Sequence, residues 1–176
     1  LQKVQDDLSN QVSPPSVRWE RQDGIHLTLK FLGDTPAEKV EAVKAALVQA
    51  AAEVAPFSLT ARRLGCFPDT RRPQVIWVGI DEPTLALVRL RDAVEKFVAP
   101  LGFPTEKRAF HPHLTLGRVS RDVSRSELAA ISAAVVATGA RVGLIDEMAV
   151  ASLALIKSAL RPGGAVYTTL LEARLC

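Results

Sequence analysis

The chain has 176 residues, 48% of them hydrophobic, and carries 22 Lys and Arg against 19 Asp and Glu for a formal charge of +3. That length and apolar content suffice for one substantial core and exclude a disordered chain, while so mild a charge names no partner by itself. The longest nearly unbroken apolar run, Met148 to Ile156, is too short to cross a bilayer, and the start at Leu1 lacks the charged and apolar regions of a secretion signal. A soluble, cytoplasmic protein without a membrane partner is expected.

Taken in chain order, Leu1, Val4 and Leu8 give a weak helical pattern over Leu1 to Asn10, broken by Ser13-Pro14-Pro15-Ser16. Within Val17 to Phe31, the residues Ile25, Leu27, Leu29 and Phe31 alternate with Gly24, His26, Thr28 and Lys30, which predicts a strand. Thr35 then stands as an N-cap with Pro36 at the first helical position and Glu38 at the third, opening an Ala-rich helix to about Glu53. Phe57, Leu59, Ala61 and Leu64 predict a strand paired with Val75 to Ile80, which is apolar on both faces. A second helix is expected from Pro83 to about Val98, ahead of the Pro100 to Pro104 break.

The second half repeats the order. A strand is predicted from His113 to Val119, then a helix opened by Ser124 with Glu127 three residues on and ending before Gly139. Strands near Leu144 to Leu160 and Ala165 to Ala173 follow, joined by the turn-forming Arg161-Pro162-Gly163-Gly164. Short-range strand pairs mixed with helices argue for α+β with antiparallel sheets over a doubly wound parallel fold. With neither Gly-x-Gly-x-x-Gly nor a P-loop, nucleoside triphosphate chemistry has no visible cradle.

The most informative feature is a repeated word, His26-Leu27-Thr28-Leu29 and His113-Leu114-Thr115-Leu116, which uses two of only three histidines. On a strand His26 and Thr28 share one face and Leu27 and Leu29 the other, and the second copy does the same. Two opposed imidazoles suit in-line displacement at phosphorus, one taking a proton from the attacking oxygen and one donating to the leaving oxygen. The threonine hydroxyls then serve the non-bridging oxygens. Among nearby cations, Lys30 shares parity with His26, whereas Arg118 has the wrong parity for His113 and joins only if the strand twists, bulges or ends near Gly117.

Set in their contexts, His26-Leu27-Thr28-Leu29-Lys30-Phe31-Leu32-Gly33 and Phe110-His111-Pro112-His113-Leu114-Thr115-Leu116-Gly117-Arg118 resemble the paired motifs of the 2H phosphoesterase superfamily. The nearest branch is the RNA 2′,3′-cyclic phosphodiesterases, also called 2′-5′ RNA ligases. Arg18-Trp19, Arg72-Pro73 before Val75 to Gly79, and Ser158 with Gly164 to Tyr167 fit that branch too. The resemblance implies a single bilobal domain over residues 1–176, with pseudo-two-fold symmetry, two antiparallel sheets lining a central groove and helices outside. It implies metal-independent, cofactor-free hydrolysis of RNA 2′,3′-cyclic phosphate ends, or of small cyclic nucleotides, to 2′-phosphomonoesters. His26 would be the proton donor and His113 the proton acceptor, with Thr28, Thr115 and Arg118 binding phosphate. The strand with which such proteins usually open is absent before the first helix, so Leu1 is not expected to be the natural start.

Several residues have plainer readings. Cys66 and Cys176 read as a reduced core thiol and a tail residue. His111 reads as structural, and a metal shared with His113 lacks a third ligand. Trp77 and Phe31 sit on apolar strand faces and read as core, leaving Trp19, beside Arg18, as the better base-stacking candidate. Arg18, Trp19, Lys30 and Tyr167 stand as possible substrate contacts. The pairs Arg62-Arg63 and Arg71-Arg72 fit a solvated face as well as a phosphate contact. The rival functions are 2′-5′ RNA ligation and a noncatalytic module that binds RNA or nucleotide phosphate.

Overall fold

Alternating apolar strands and four helices fold, in a computed structural model that describes residues 1–161 and 164–176, into an α+β protein with two sheets. The elements are α1 (Gln2–Ser9), β1 (Val17–Trp19), α2 (Val40–Ala52), β2 (Phe57–Phe67), β3 (Val75–Asp81), α3 (Ala86–Val98), β4 (His113–Val119), α4 (Arg125–Arg141), β5 (Leu144–Val150), β6 (Ser152–Arg161) and β7 (Gly164–Arg174). The chain divides into two compact units.

The first unit comprises Leu1–Leu27, Thr60–Asp81 and His111–Glu147. Its sheet has the order β1-β4-β3-β2-β5 and is antiparallel at the β1/β4, β4/β3 and β3/β2 pairings. One face is apolar: Ala61, Ile76, Val78, Leu114 and Leu116 are buried, as are Val4 and Leu8 of α1 and Ile131 and Val135 of α4. Helix α1 is tied to β4 by the Gln5 side-chain amide, which donates to the carbonyl oxygens of Leu116 and Glu20 at 2.8 Å each. On α4, Ser124 and Glu127 form a reciprocal capping box. The helix runs on through Gly139 to Arg141 rather than stopping before the glycine. Gly139 lies against Leu64 of β2, and that packing outweighs a propensity cost of about 1 kcal/mol.

The second unit comprises Thr28–Leu59, Glu82–Phe110 and Met148–Cys176. The antiparallel β6/β7 ladder packs with α2, which packs with α3, around a core including Val43, Leu47, Ala50, Leu90, Val94, Val98, Leu153 and Leu175. The predicted turn at Pro162-Gly163 lies outside the described residues; Arg161 and Gly164, which flank it, pair across the ladder.

Three further boundaries differ from expectation. The alternation over Gly24 to Phe31 yields extended chain instead of a strand, with Leu27 alone bridging to the sheet, because period two reports a two-sided environment and not a ladder partner. Thr35 is not an N-cap; its hydroxyl donates to the Gly33 carbonyl, and a 3-10 turn over Ala37–Lys39 precedes α2. The second helix begins at Ala86, where the Glu82 carboxylate accepts from the backbone N–H groups of Thr84 and Leu87. Burial pushes its carboxyl up, but the Thr84 hydroxyl together with these backbone N–H groups outweighs it and holds the carboxyl below the usual range. Phe31, expected in the core, is 84% exposed.

Candidate active site

The second motif is built on β4, whose buried Leu114 and Leu116 anchor it from behind and leave His113 and Thr115 on the opposite face. Register identifies what shares that face: Gly79 stands opposite His113, Trp77 opposite Thr115 and Val75 opposite Arg118. Positions 75, 77 and 79 alternate regularly on β3, so their three partners lie on one side. The register shift between Ile76 and Trp77 makes this possible, since Leu116 is the extra residue of a β-bulge and corrects the parity of everything after it. Arg118 therefore joins His113 and Thr115, through the bulge that its sequence parity requires. Arg18 stands directly opposite Arg118 across β1/β4 and shares the face.

The first motif joins through one antiparallel bridge, Leu27 with Leu114. That pairing sets His26 opposite Thr115 and on the same side, leaving His113 as its diagonal neighbour, about 7–8 Å away by ordinary ladder geometry. The two imidazoles are held alike: Nδ1 of His26 donates to the Gly24 carbonyl at 2.7 Å, and Nδ1 of His113 donates to the His111 carbonyl at 2.7 Å. A carbonyl oxygen only accepts, so each neutral ring carries its hydrogen on Nδ1 and its lone pair on Nε2. Both histidines thus use Nε2 for any reaction. The backbone oxygen of His111 is the acceptor for His113, and His111 also lines the cavity beside that ring.

Beside His113 lies a cavity of about 170 Å³ lined by residues that include Arg63, Phe67, Trp77, Gly79 and His111. Phe67 meets the His113 ring edge-on at 4.9 Å between centroids, and Trp77 stands 5.2 Å from Phe67 and 6.4 Å from His113. Trp77 is consequently no core residue: it is half-buried on the histidine face, its indole nitrogen without a hydrogen-bond partner among the described residues. Gly65 is what lets the indole lie flat on β2, because a Cβ there would come within 2.4 Å of the ring. Arg63 occupies a second bulge at φ +64°, a conformation costly for a non-glycine residue. It shares the Asp81 carboxylate with Arg62, leaving the rim of the cavity with surplus positive charge.

Other predicted contacts fall elsewhere. Trp19 points to the helical face, where its ring covers Gly117 and lines a cavity beside Gln2, Gln5 and Asp6 of α1; the β1 register that puts Arg18 on the histidine face necessarily turns Trp19 away. Lys30 is not a substrate contact: its ammonium donates to Glu95 at 2.6 Å and to the Pro104 carbonyl at 2.8 Å with 5% of its side chain exposed. Thr28 is the half-buried first residue of the second unit, and Tyr167 stands on β7 opposite Ser158. Phe67 was not legible as a neighbour of His113, and Arg63 was legible only as one of an arginine pair that fits a solvated face as well as a phosphate contact. The trace of Phe67 in the sequence is the small Gly65 two positions earlier on the same strand face.

Among the described residues no three of His, Cys, Asp and Glu come together as a metal-holding group, and no helix is long and apolar enough to cross a membrane. Compared with known proteins, the chain matches the family model for LigT-like phosphoesterases over residues 1–77 and 78–167. It is 31% identical over 176 residues to the RNA 2′,3′-cyclic phosphodiesterase of Aeropyrum pernix, covering 99% of this chain and 94% of that one. It is 32% identical over 157 residues to the protein of the same name from Aquifex aeolicus, covering 88% and 80%. Among solved structures, a Thermus thermophilus protein superposes with a TM-score of 0.74 at 26% identity, over 99% of this chain and 93% of that one. Escherichia coli LigT complexed with 3′-AMP superposes with a TM-score of 0.70 at 26% identity, over 98% and 91%.

Proposed function

The chain belongs to the LigT-like phosphoesterase family, and on that premise we propose that it hydrolyses RNA 2′,3′-cyclic phosphate ends, or small cyclic nucleotides, to 2′-phosphomonoesters. The reaction runs in the cytoplasm by proton transfer between two histidines, without metal or cofactor, and residues 1–176 act as one bilobal catalytic domain. The observation that carries the reading is the matched pair of imidazoles. In this reading the Leu27–Leu114 bridge brings His26 beside Thr115 and His113, and each imidazole is held by an Nδ1–H bond of 2.7 Å that leaves Nε2 for chemistry.

In this account His113 is neutral and its Nε2 takes a proton from water as the oxygen attacks phosphorus. His26 enters protonated, and its Nε2–H passes to the 3′ oxygen as the P–O3′ bond breaks, leaving the phosphate on the 2′ oxygen. One proton is taken and one given, so the pair returns to its starting state by exchange with solvent. Thr115, opposite His26 and beside His113, donates to a non-bridging oxygen, and Thr28 has the equivalent role in the first motif. Arg118 supplies the positive charge that the phosphorane-like transition state calls for.

The test is hydrolysis of a cyclic-phosphate oligonucleotide in excess EDTA, with the product resolved as 2′- or 3′-phosphate. Undiminished turnover to the 2′-phosphate is expected. Loss of turnover in EDTA would replace this mechanism with a metal-dependent one, and binding without turnover would leave a phosphate-binding module.

A further inference from the structure

Arg18 and Arg118 are direct partners in the β1/β4 ladder, and like charges so placed destabilise an antiparallel pair. Among the described residues the carboxylate beside them is Glu20, which accepts from Arg118 Nε at 3.3 Å and is 19% exposed at its side chain. Arg18 is exposed, and its guanidinium has no ion pair or hydrogen bond among the described residues. Two guanidinium forks against one carboxylate leave a net positive charge that an anion would neutralise, and the planar fork suits phosphate oxygens.

Their place on the sheet says which anion. Val75 and Trp77, the β3 partners of Arg118 and Thr115, are two residues apart, a step of roughly 7 Å along the strand. Starting from a phosphate held between His26, His113 and Thr115, the arginine pair thus lies one short step along the same face. The terminal nucleotide of an RNA with a cyclic end carries two phosphorus groups, the cyclic one and the 5′ phosphodiester, one ribose apart.

We propose that Arg18, paired with Arg118, holds the phosphate on the 5′ side of the terminal nucleotide, so that the enzyme takes polynucleotide ends in preference to nucleoside cyclic phosphates. This rests on the phosphodiesterase reading above. Arg118 stands between the two phosphates, Glu20 keeps it oriented, and Arg18 touches the upstream one alone.

The experiment compares kcat/KM for adenosine 2′,3′-cyclic phosphate, its 5′-phosphorylated form, and the dinucleotide ending in the same cyclic phosphate. Wild type is expected to prefer both 5′-substituted substrates, more so at low salt. In Arg18→Ala that preference falls about tenfold, the size of one lost charge-assisted contact, while Arg18→Lys retains part of it. An equal fall on all three substrates would overturn the proposal, as would no fall, or a wild-type preference for the dinucleotide alone, which would indicate an upstream base contact. A wild-type protein that turned over none of the three would remove the phosphodiesterase reading itself, and this inference with it.

Discussion

His26 stands opposite Thr115, because the single bridge between Leu27 and Leu114 fixes the register of one motif on the other. The relationship gives Thr115 a position beside both imidazoles, from which its hydroxyl is proposed to contact the transition state. Thr115→Ala is expected to lower kcat/KM by roughly 10- to 100-fold, with Thr115→Ser recovering most of it, since the loss is that of one hydrogen bond to developing charge. Steady-state kinetics on a cyclic-phosphate oligonucleotide decides: a serine variant as slow as the alanine one would show that the methyl, not the hydroxyl, matters.

Lys30 and Glu95 are a buried ion pair, 5% and 7% exposed at their side chains. Removing one partner strands the other, so Lys30→Ala is predicted to cost about 3–5 kcal/mol of stability. Converting both residues, Lys30→Met with Glu95→Leu, should restore most of that. Urea unfolding of the three proteins checks this, and a double variant no better than the single one would contradict it.

The capping box of α4 has a pH signature. The Ser124 hydroxyl and backbone N–H both donate to the Glu127 carboxylate and hold its carboxyl below the usual value of 4.5. A depressed folded pKa contributes stability that is complete above the unfolded value and is lost as pH falls through the folded one. Glu127→Ala should therefore lower the melting temperature at pH 7, with the gap to wild type closing as pH drops below about 4.5. A gap that widened on acidification would reverse the assigned sign.

Cys66 is buried, and burial, aided by the Asp69 carboxylate, pushes its thiol up to about 12, whereas Cys176 is exposed. At pH 8 the thiolate fraction of Cys66 is on the order of one in ten thousand. Titration of the native protein with a thiol-reactive chromophore should count one rapid thiol per chain, rising to two in denaturant. Two rapid thiols in the native state would be the contrary result.

How far the sequence carries is clearest on β4 and α4. The strand His113–Val119 and the Ser124/Glu127 cap are observed where the pattern puts them, since alternation over buried leucines and a reciprocal cap are both local signals. The proposed histidine pair rests on the repeated word, whose second copy alone lies on an observed strand. Arg118 was legible only conditionally, because the bulge at Leu116 is set by pairing with β3, a relation between segments that no local pattern encodes. Trp77 and Phe67 escaped because an aromatic on an apolar strand looks the same whether its outer face meets a helix or a cavity. Trp19 and Lys30 were misplaced through one cause: nearness to the motif in sequence says nothing of which face a short strand presents, or of a carboxylate 65 residues on.

The central claim is that two imidazoles share the proton transfers of one displacement. It is tested most directly by single-turnover hydrolysis of a cyclic-phosphate oligonucleotide by wild type, His26→Ala and His113→Ala, each shown to be folded by circular dichroism. The account predicts that each variant loses about 10²- to 10⁴-fold in rate with substrate still bound. Near-full turnover in either variant would contradict it.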